Sequence, residues 1–369
     1  MKVLVTGGAG FIGSHVCDAL VNRGYSVRIL DNLTEPVHKA KKPNYITEGA
    51  ELVIGDVRIK ADWARALDGV DAVYHLAAYQ DYMTDFSKFF HVNTTGTAML
   101  YEVAVEQKIP LKKVIVASSQ AVYGEGKYKD NAGHVVYPDI RSRAQLEMAQ
   151  WDLKMNGLPL DALWTDETQV NPQNQYAVSK YTQELVSLNL GKRYDIPTVC
   201  MRYSIVQGPR QSLSNAYSGA CRIFALSYLQ DKQPIIYEDG NQYRDFVNIE
   251  DVVRANLAVL DDERANFRCF NVGSGKKYSV LEFAEIAAKV FGKPFEPVIS
   301  GEFRFGDTRH ILSDISSLRE LGWEPKNDCE YSVRTYRAWL TNQVVAENIV
   351  ENAYKQMRLN NVLGKVSRK

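Results

Sequence analysis

The chain has 369 residues with 44 basic and 44 acidic side chains, so its formal net charge is zero. A protein that binds nucleic acid through a basic surface should carry a clear positive excess, which this chain lacks. No run approaches about 18 apolar residues, so we predict no membrane span. The first apolar run begins at Val3, which argues against a signal peptide. The five cysteines are scattered without metal-ligand spacing, as in reduced cytoplasmic proteins, and we predict no metal site.

Short apolar runs alternate with helical patterns through the first half of the chain. They predict strands at 3–6, 27–30, 52–55, 72–77, 113–119 and 198–203. Helices are predicted between them at 12–23, 61–67, 94–106 and 173–193. The strand runs are apolar throughout rather than alternating, as expected when helices cover both faces of a sheet. The pattern therefore predicts an α/β fold with a Rossmann-type, doubly wound parallel sheet.

The second half is less regular and is punctuated by Pro and Gly. Helices are predicted there at 218–229, 250–260 and 280–291, with short strands at 235–237 and 269–272. We assign residues 1–203 to the sheet domain and expect 241–265 to return to it. Residues 204–240 and 266–330 are assigned to a smaller mixed α/β lobe over the open end of the sheet, and 331–369 to a C-terminal helix and a basic tail.

Two segments do not follow the alternation of predicted strands and helices. Residues 125–170 form an insertion in the sheet domain with a predicted helix at 141–154, and they either cover the substrate or only pad the surface. The stretch from Lys355 onward contains basic residues and no acid. Such a stretch is typical of a solvated, frayed terminus.

The clearest motif lies between the first strand and the first helix. Gly8, Gly10 and Gly13 fit G-x-G-x-x-G, and Gly7 adds an earlier glycine. Glycines at these positions let the backbone turn tightly against a pyrophosphate at the positive end of the helix. Asp31 ends the second strand, where a carboxylate accepts hydrogen bonds from the adenosine ribose and repels a 2′-phosphate. The motif therefore predicts bound NAD rather than NADP.

A candidate catalytic pair follows in the fourth predicted helix of the first half. Tyr176 and Lys180 form a Tyr-x-x-x-Lys pair on one helical face. Tyr123 and Lys127 match the same pattern, but the glycines between them argue against a helix. An Asn-Pro pair, by contrast, starts a helix shortly before Tyr176.

The chemistry of this pair is plausible in magnitude. Ionising a tyrosine of pKa near 10 at pH 7 costs about 4 kcal/mol. A lysine cation at about 4 Å supplies a similar amount at an effective dielectric constant of about 20. Tyr176 is therefore a candidate general base toward a sugar hydroxyl while hydride leaves the same carbon. Ser119, at the end of the fifth strand, is a candidate hydrogen-bond partner for the alcohol or the carbonyl that it becomes.

Further motifs accompany these in a fixed order along the chain. They include Gly55-Asp56-Val57, His75-Leu76-Ala77-Ala78, Ser118-Ser119-x-x-Val122-Tyr123-Gly124, Arg244-Asp245-Phe246 and Arg304-x-x-Asp307. The ordered set spans residues 1 to about 330 and resembles the extended short-chain dehydrogenase/reductase family, the nucleotide-sugar epimerases and dehydratases. Within that family, the segments 117–126, 208–217 and 306–310 and the long insertion are similar to those of dTDP-L-rhamnose 4-epimerases.

The resemblance implies an NAD site, a catalytic trio and a site for a nucleoside-diphosphate sugar. The NAD site would consist of Gly7, Gly10, Phe11, Ile12, Gly13, Asp31, Asn32, Asp56, Val57, Leu76, Ala77, Ala78, Asn93, Ser118, Tyr176 and Lys180. The catalytic trio would be Ser119, Tyr176 and Lys180. The substrate would contact Ser119, Asn215, Tyr237 at its base, Arg244 and Arg304 at its diphosphate, and Asp307 at its ribose; guanidinium groups suit phosphates. The family also implies a homodimer formed through the helices at 94–106 and 173–193.

Departures from the family pattern narrow the reaction. Dehydratases of the family carry Asp-Glu after the serine position and decarboxylases a Glu, whereas this chain has Gln120 and Ala121. We therefore expect epimerisation at C4 of a nucleoside-diphosphate hexose through a transient 4-keto sugar. A 4-dehydrogenase or 4-keto reductase with net NAD(H) turnover stays open, as does a non-catalytic NAD-binding scaffold. Ile205 replaces an asparagine usual in the family and indicates an altered substrate pocket.

Overall fold

The computed structural model describes residues 1–35, 37–38, 42–81, 84–213, 219–359 and 362–367. Its centre is a seven-stranded sheet whose neighbouring strands are all parallel. The strands are β1 (Lys2–Thr6), β2 (Ser26–Asp31), β3 (Glu51–Ile54), β4 (Ala72–His75), β5 (Lys113–Ser119), β6 (Thr198–Tyr203) and β7 (Arg268–Val272). Their order is β7-β6-β5-β4-β1-β2-β3, so the chain switches direction between β1 and β4. The predicted Rossmann-type fold is confirmed.

Helices cover both faces of this sheet, as the continuous apolar strands require. The main helices are α1 (Phe11–Asn22), α2 (Lys60–Leu67), α3 (Gly96–Glu106), α4 (Gln175–Arg193), α5 (Gly219–Leu229), α6 (Ile249–Leu260), α7 (Val280–Phe291), α8 (Cys329–Leu340) and α9 (Ile349–Leu359). Shorter helical segments are Phe86–Phe89, Phe90–Thr95, Gln120–Tyr123, Arg143–Glu147, Glu263–Ala265 and Ser316–Arg319. The core under α1 and α6 contains Val16 and Val252, and the core on the other face contains Trp63 and Leu100.

The longest helix, α4, begins with a side-chain cap and packs closely on the sheet near its other end. Asn174 caps it by accepting a hydrogen bond of 2.8 Å from the Ala177 N–H. Near its other end, a Cβ on Gly191 would lie 2.5 Å from Oγ1 of Thr198 in β6, so only glycine permits this approach. The helix is thereby held against the sheet, with its first turns beside the end of β5.

A smaller lobe is built around α5, α7 and α8. Phe224, Phe283 and Tyr336 are buried in its core. Its short strands pair as Ile205–Gln207 with Phe246–Asn248, Ile235–Ile236 with Val298–Ile299, Tyr243–Arg244 with Tyr278–Ser279, and Glu302–Arg304 with Leu363–Lys365. In the described part of the chain, no helix combines the length and apolarity needed to cross a membrane.

One predicted boundary of the lobe is wrong. The sequence assigns 266–330 to the lobe, but β7 belongs to the main sheet, where Cys269 pairs with Cys200 of β6. The reason is the crossover: α6 packs on the sheet, so the strand that follows it adds in parallel beside β6. Phe270 and Val272 are fully buried there.

The insertion also differs from its prediction. Instead of a helix over 141–154, only Arg143–Glu147 is helical, and Ala149 has a left-handed backbone with φ of 55°. A hairpin follows, in which Lys154–Met155 pairs with Leu158–Pro159. The turn is Asn156-Gly157, with φ of 52° and 81°, a sequence that strongly favours such hairpins. Three further short strands, Tyr128–Lys129, Val135–Val136 and Asp161–Ala162, form a separate sheet.

The C-terminal segment is ordered rather than frayed over its described residues. Leu363–Lys365 pairs antiparallel with Glu302–Arg304, and Met357 of α9 is buried. The prediction of a solvated tail from Lys355 onward is therefore wrong for these residues. Arg358 and Lys365 both form ion pairs with Glu302, which explains why the basic residues dock instead of remaining in solvent.

Candidate active site

The turn after β1 forms a cradle suited to a diphosphate. Gly7 has φ of 67°, and its carbonyl accepts the Gly10 N–H at 3.0 Å. A Cβ on Gly13 would lie 2.2 Å from that carbonyl oxygen, so only glycine lets the start of α1 pack this closely on the turn. No side chain caps α1, and its first turn carries no acidic residue. The positive end of α1 is therefore directed toward a ligand anion.

The acidic groups beside the cradle are held by hydrogen bonds. Asp31 ends β2 and accepts the Ala9 N–H at 3.1 Å and the Leu33 N–H at 2.9 Å. Burial opposes ionisation of Asp56, but hydrogen bonds from Arg58 and Asn32 dominate and lower its pKa to about 2. Both carboxylates line the cleft that starts at the cradle. They can accept hydrogen bonds from the hydroxyl and amino groups of an adenosine.

This cleft is continuous, has a volume of about 990 Å³ and extends from the cradle into the lobe. Most of the site residues predicted from the sequence line this cleft. Those that line it are Gly7, Gly10, Phe11, Ile12, Gly13, Asp31, Asn32, Asp56, Val57, Leu76, Ala77, Ala78, Ser118, Ser119, Tyr176, Lys180, Tyr237, Arg244, Arg304 and Asp307. The cleft therefore brings residues from both halves of the chain to one place.

Two predicted residues are not among them. Asn93 is fully buried behind the wall, where it exchanges two hydrogen bonds with the Tyr79 backbone and donates to Ser179 Oγ at 2.9 Å. Its predicted place in the lining of the NAD site is thus corrected to a position behind that lining, because a buried amide needs partners for both its ends. Asn215 lies outside the described residues.

Tyr176 and Lys180 lie on successive turns of α4. Lys180 is almost completely buried, and its Nζ donates to the Ala117 carbonyl at 2.6 Å and to Gln183 Oε1 at 2.8 Å. Among the described residues no carboxylate forms an ion pair with it. Burial lowers the pKa of Lys180 to about 7, with Glu184 acting in the opposite direction. An ionised phenol one turn away would stabilise this cation, so the two charges favour each other.

Ser119 faces the same cleft from the end of β5. Its Oγ accepts the Ala121 N–H at 3.1 Å, which fixes the hydroxyl at the start of a 3₁₀ turn. The backbone there is extended, with φ of −151°. Since the oxygen already accepts one backbone bond, its proton is available to a substrate oxygen.

A series of hydrogen bonds links the lysine to fully buried residues of the sheet domain. Gln183, which accepts from Lys180, donates to Thr97 Oγ1 at 2.9 Å, and Thr97 contacts His75 Nε2 at 2.9 Å. His75 Nδ1 contacts Thr6 Oγ1 at 2.8 Å. Burial lowers the pKa of His75 to about 3, so the ring is neutral. These hydrogen bonds fix the position of Lys180, and none of them involves a carboxylate.

The second Tyr-x-x-x-Lys match is structural. Tyr123 is buried and donates to Asn271 Oδ1 at 2.6 Å, while Arg202 donates to its hydroxyl at 2.9 Å. Lys127 points elsewhere and forms an ion pair of 2.7 Å with Asp166. The positive φ of Gly124, 61°, ends the helical turn between them. The distinction drawn from the glycines is therefore confirmed.

The lobe contributes cationic and aromatic groups to the far end of the cleft. Arg244 donates to three backbone carbonyls, those of Tyr243, Thr308 and Arg309, at 2.8–3.0 Å. These bonds orient the guanidinium without neutralising its charge. Arg304 contacts Asp307 at 2.6 Å and lies 5.5 Å from the ring centre of Tyr237. This arrangement can bind a phosphate and a flat base side by side.

The insertion reaches the same end of the site through buried charges. Arg141 lies 2.8 and 2.9 Å from the two carboxylate oxygens of Glu238, and it donates to the Asp307 carbonyl at 2.9 Å. Glu125 accepts the Arg309 N–H at 2.6 Å and lies 3.6 Å from Arg141. Because Glu238 lines the cleft, the insertion supports its wall. The sequence offers no signal for this pairing, since the partners are far apart along the chain.

The buried Glu125 gives the protein a pH-dependent stability. Burial raises its pKa to about 7 from 4.5, although Arg141 and the Arg309 N–H act in the opposite direction. A carboxyl group with a raised pKa in the folded state destabilises the fold as pH rises from about 4.5 to about 7. We expect Glu125→Gln to gain stability relative to the unmodified protein by about 2 kcal/mol between pH 4.5 and 7.5.

Urea denaturation at several pH values measures this difference. Asp161→Asn, which changes an exposed carboxylate of the same insertion, is the matched control and should follow the unmodified protein. Parallel stability curves for Glu125→Gln and the unmodified protein would contradict the prediction.

Comparison with known proteins supports the assignment of the cleft. The model of the NAD dependent epimerase/dehydratase family matches residues 3–144 and 154–273. The dTDP-L-rhamnose 4-epimerase of Burkholderia thailandensis is 38% identical over 94% of this chain and 97% of its own length. A putative UDP-glucose 4-epimerase of Methanocaldococcus jannaschii is 33% identical over 92% of this chain and 98% of its own length.

Solved structures agree with these relatives. The UDP-glucose 4-epimerase of Thermotoga maritima, solved with UDP-glucose, has a TM-score of 0.77 and 28% identity, covering 92% of this chain and 99% of its own. The Bacillus cereus UDP-glucuronic acid 4-epimerase, in complex with NAD, has a TM-score of 0.75 and 26% identity, covering 92% and 99%. On its sequence, its sheet and its glycine cradle alike, the chain belongs to the NAD dependent epimerase/dehydratase family.

Proposed function

We propose that the protein inverts the configuration at C4 of a nucleoside-diphosphate 6-deoxyhexose of the dTDP-L-rhamnose type. The prediction of an NAD-dependent nucleotide-sugar 4-epimerase is confirmed by the relatives, and the choice of sugar is our inference. The observation that carries the proposal is the single cleft that holds the glycine cradle, Tyr176, Lys180 and Arg244 together. The residues of the cradle fit NAD, since the start of α1 carries no side-chain cap and no acid, and Asp31 lines the same cleft.

Tyr176, Lys180 and Ser119 have different roles in the proposed reaction. NAD supplies a hydride acceptor that can return the same hydride. The cationic Lys180 keeps the phenol of Tyr176 ionised before the reaction begins. The phenolate then takes the proton of the C4 hydroxyl and later gives it back. Ser119 donates a hydrogen bond to the sugar oxygen, which stabilises the negative charge that develops on it.

Inversion requires that the 4-keto sugar turn while its diphosphate stays bound. Arg244 and Arg304 are suited to retain the diphosphate, because one is held by backbone carbonyls and the other by Asp307. A hydride that is removed and returned within one turnover leaves no net redox change. No external oxidant or reductant is then needed.

The surroundings of the trio favour epimerisation over elimination. Gln120 and Ala121 occupy the positions where family dehydratases carry acids, and Gln120 lines the cleft. Glu125, the first acid after Ser119, is bound to Arg141 and Arg309 and is not among the lining residues. Elimination of water from C5 and C6 therefore lacks its proton-transfer groups.

The sugar type is argued from the pocket and from the relatives. Ile205, Ile140 and Val206 give the cleft an apolar lining, and Ile205 stands where an asparagine is usual in the family. A methyl group at C6 suits such a wall better than a hydroxyl or carboxylate, which would lose hydrogen bonds to water. The relative with 38% identity is a dTDP-L-rhamnose 4-epimerase.

We also propose that the protein is a cytoplasmic homodimer that does not bind nucleic acid. Val178 and Leu185 on α4, and Phe86 just before the π-helical turn, are large apolar side chains that are 37–54% exposed. Residues 178 and 185 lie two turns apart on one face of α4, which can pack against the same face of a second chain. Light scattering should give twice the 41.7 kDa of one chain, and a mass near 41.7 kDa would contradict the dimer.

Replacing Tyr176 tests the chemistry. Tyr176→Phe should lower turnover by about 10²–10⁴-fold, because the general base is lost, while bound NAD is retained. Turnover is measured by NMR of the C4 configuration of the product. Tyr181→Phe, five residues along the same helix, is the matched control and should stay near full activity. Undiminished turnover by Tyr176→Phe would refute the mechanism and favour a different role for the protein.

A panel of substrates tests the reaction type and the sugar. The purified protein is incubated with dTDP-, UDP-, GDP- and CDP-sugars without added cofactor, and NMR follows the C4 stereochemistry. We expect inversion of a dTDP-6-deoxyhexose, no change in absorbance at 340 nm at stoichiometric scale, and release of NAD on denaturation. Stoichiometric formation of NADH would instead support the 4-dehydrogenase or 4-keto reductase alternative, and a stable 4-keto product would support a dehydratase.

A further inference from the structure

The C-terminal segment, α9 together with Leu363–Lys365, forms part of the wall of the cleft. Tyr354 and Met357 of α9 line the cleft beside Ile235 and Tyr237 of the lobe. Val350 of the same helix is buried in the lobe core. Residues 350, 354 and 357 follow one face of the helix, so a single face both anchors α9 and meets the cleft.

A buried carboxylate holds this segment in place. Glu302 is only 3% exposed, and Arg358 and Lys365 lie 3.0 and 3.7 Å from its Oε1. A buried carboxylate is costly without such partners, and both come from the C-terminal segment. Gly364 also fits closely, since a Cβ there would lie 2.5 Å from the ring of Phe303. The segment is therefore docked by specific contacts next to Arg304.

The groups at this place have the chemistry of a nucleobase site. The rings of Tyr354 and Tyr237 are 6.4 Å apart and nearly perpendicular, at 88°, and the Arg304 guanidinium lies 5.5 Å from the Tyr237 ring centre. The Tyr237 hydroxyl is buried and has no hydrogen-bond partner among the described residues. Aromatic faces with a polar group at their edge bind a planar base with hydrogen-bonding edges.

We propose that Tyr354 contacts the nucleobase together with Tyr237, so that the C-terminal segment completes the nucleotide end of the substrate site. This inference rests on the proposed function, in which Arg244 and Arg304 bind the diphosphate of the same nucleotide. The segment thus contributes to base recognition, although it is distant in sequence from the dinucleotide motif and the catalytic pair.

Calorimetric titration of the NAD-loaded protein with dTDP and with UDP tests the role of Tyr354. Tyr354→Ala should weaken binding of dTDP about tenfold, as expected for a lost ring contact with a base. Tyr354→Phe keeps the ring and should bind within about twofold of the unmodified protein. Asn352→Ala, at an exposed position of α9, is the matched control and should bind normally.

Inorganic pyrophosphate, which has no base, separates a base contact from a general weakening of the site. Its affinity should be the same in Tyr354→Ala and the unmodified protein when both are measured well below their melting temperatures, since loss of the packed ring also lowers stability. Equal dTDP affinity in both proteins would overturn the inference while leaving the proposed function intact. A proportional loss of pyrophosphate binding would also overturn it, by assigning Tyr354 a structural role. Failure of the unmodified protein to bind either nucleotide would refute the proposed function itself.

Discussion

The site depends on a buried lysine, Lys180, that forms no ion pair with an acid in the described part of the chain. Lys180 is held by the carbonyl of Ala117 and the amide of Gln183, and burial lowers its pKa to about 7. Neutral oxygens orient an ammonium group without cancelling its charge, so its field remains available to a phenol one turn away. A carboxylate in place of Gln183 would stabilise the cation and weaken its effect on Tyr176. The packing of α4 against the ends of β5 and β6 therefore sets the reactivity of the site.

The lobe end of the cleft shows the same feature, a cation that neutral groups orient without cancelling its charge. Arg244 is held by three backbone carbonyls, so it is oriented but keeps its full positive charge for an anion. The acids of that region are instead committed to other cations, as Glu238 is to Arg141 and Asp307 to Arg304. These pairs join the insertion, the lobe and the cleft wall into one network. The insertion therefore supports the wall of the cleft rather than only padding the surface.

The two residues that follow Ser119, neither of them an acid, limit the reactions that this arrangement can support. Hydride removal and return need one base, one orienting hydroxyl and a retained cofactor, and Tyr176, Ser119 and the glycine cradle are suited to these roles. Elimination needs an additional acid and base, and the positions that would hold them carry Gln120 and Ala121. Gln120 and Ala121 therefore disfavour elimination, whereas Tyr176, Ser119 and the glycine cradle are suited to hydride removal and return.

The sequence by itself determined the parallel sheet, the glycine turn and the placement of Tyr176 and Lys180 on one helix, because these depend on local periodicity and short spacings. It also separated Tyr176 from the false match at Tyr123, since the glycines that follow Tyr123 act within a single turn. Only the tertiary structure shows that β7 lies in the sheet, that Asn93 lies behind the cleft wall, and that Tyr354 lines the cleft beside Tyr237. Those positions are set by contacts between residues far apart in the chain, such as Glu302 with Arg358. No local pattern encodes which distant partner will meet a buried charge, so folding alone decides it.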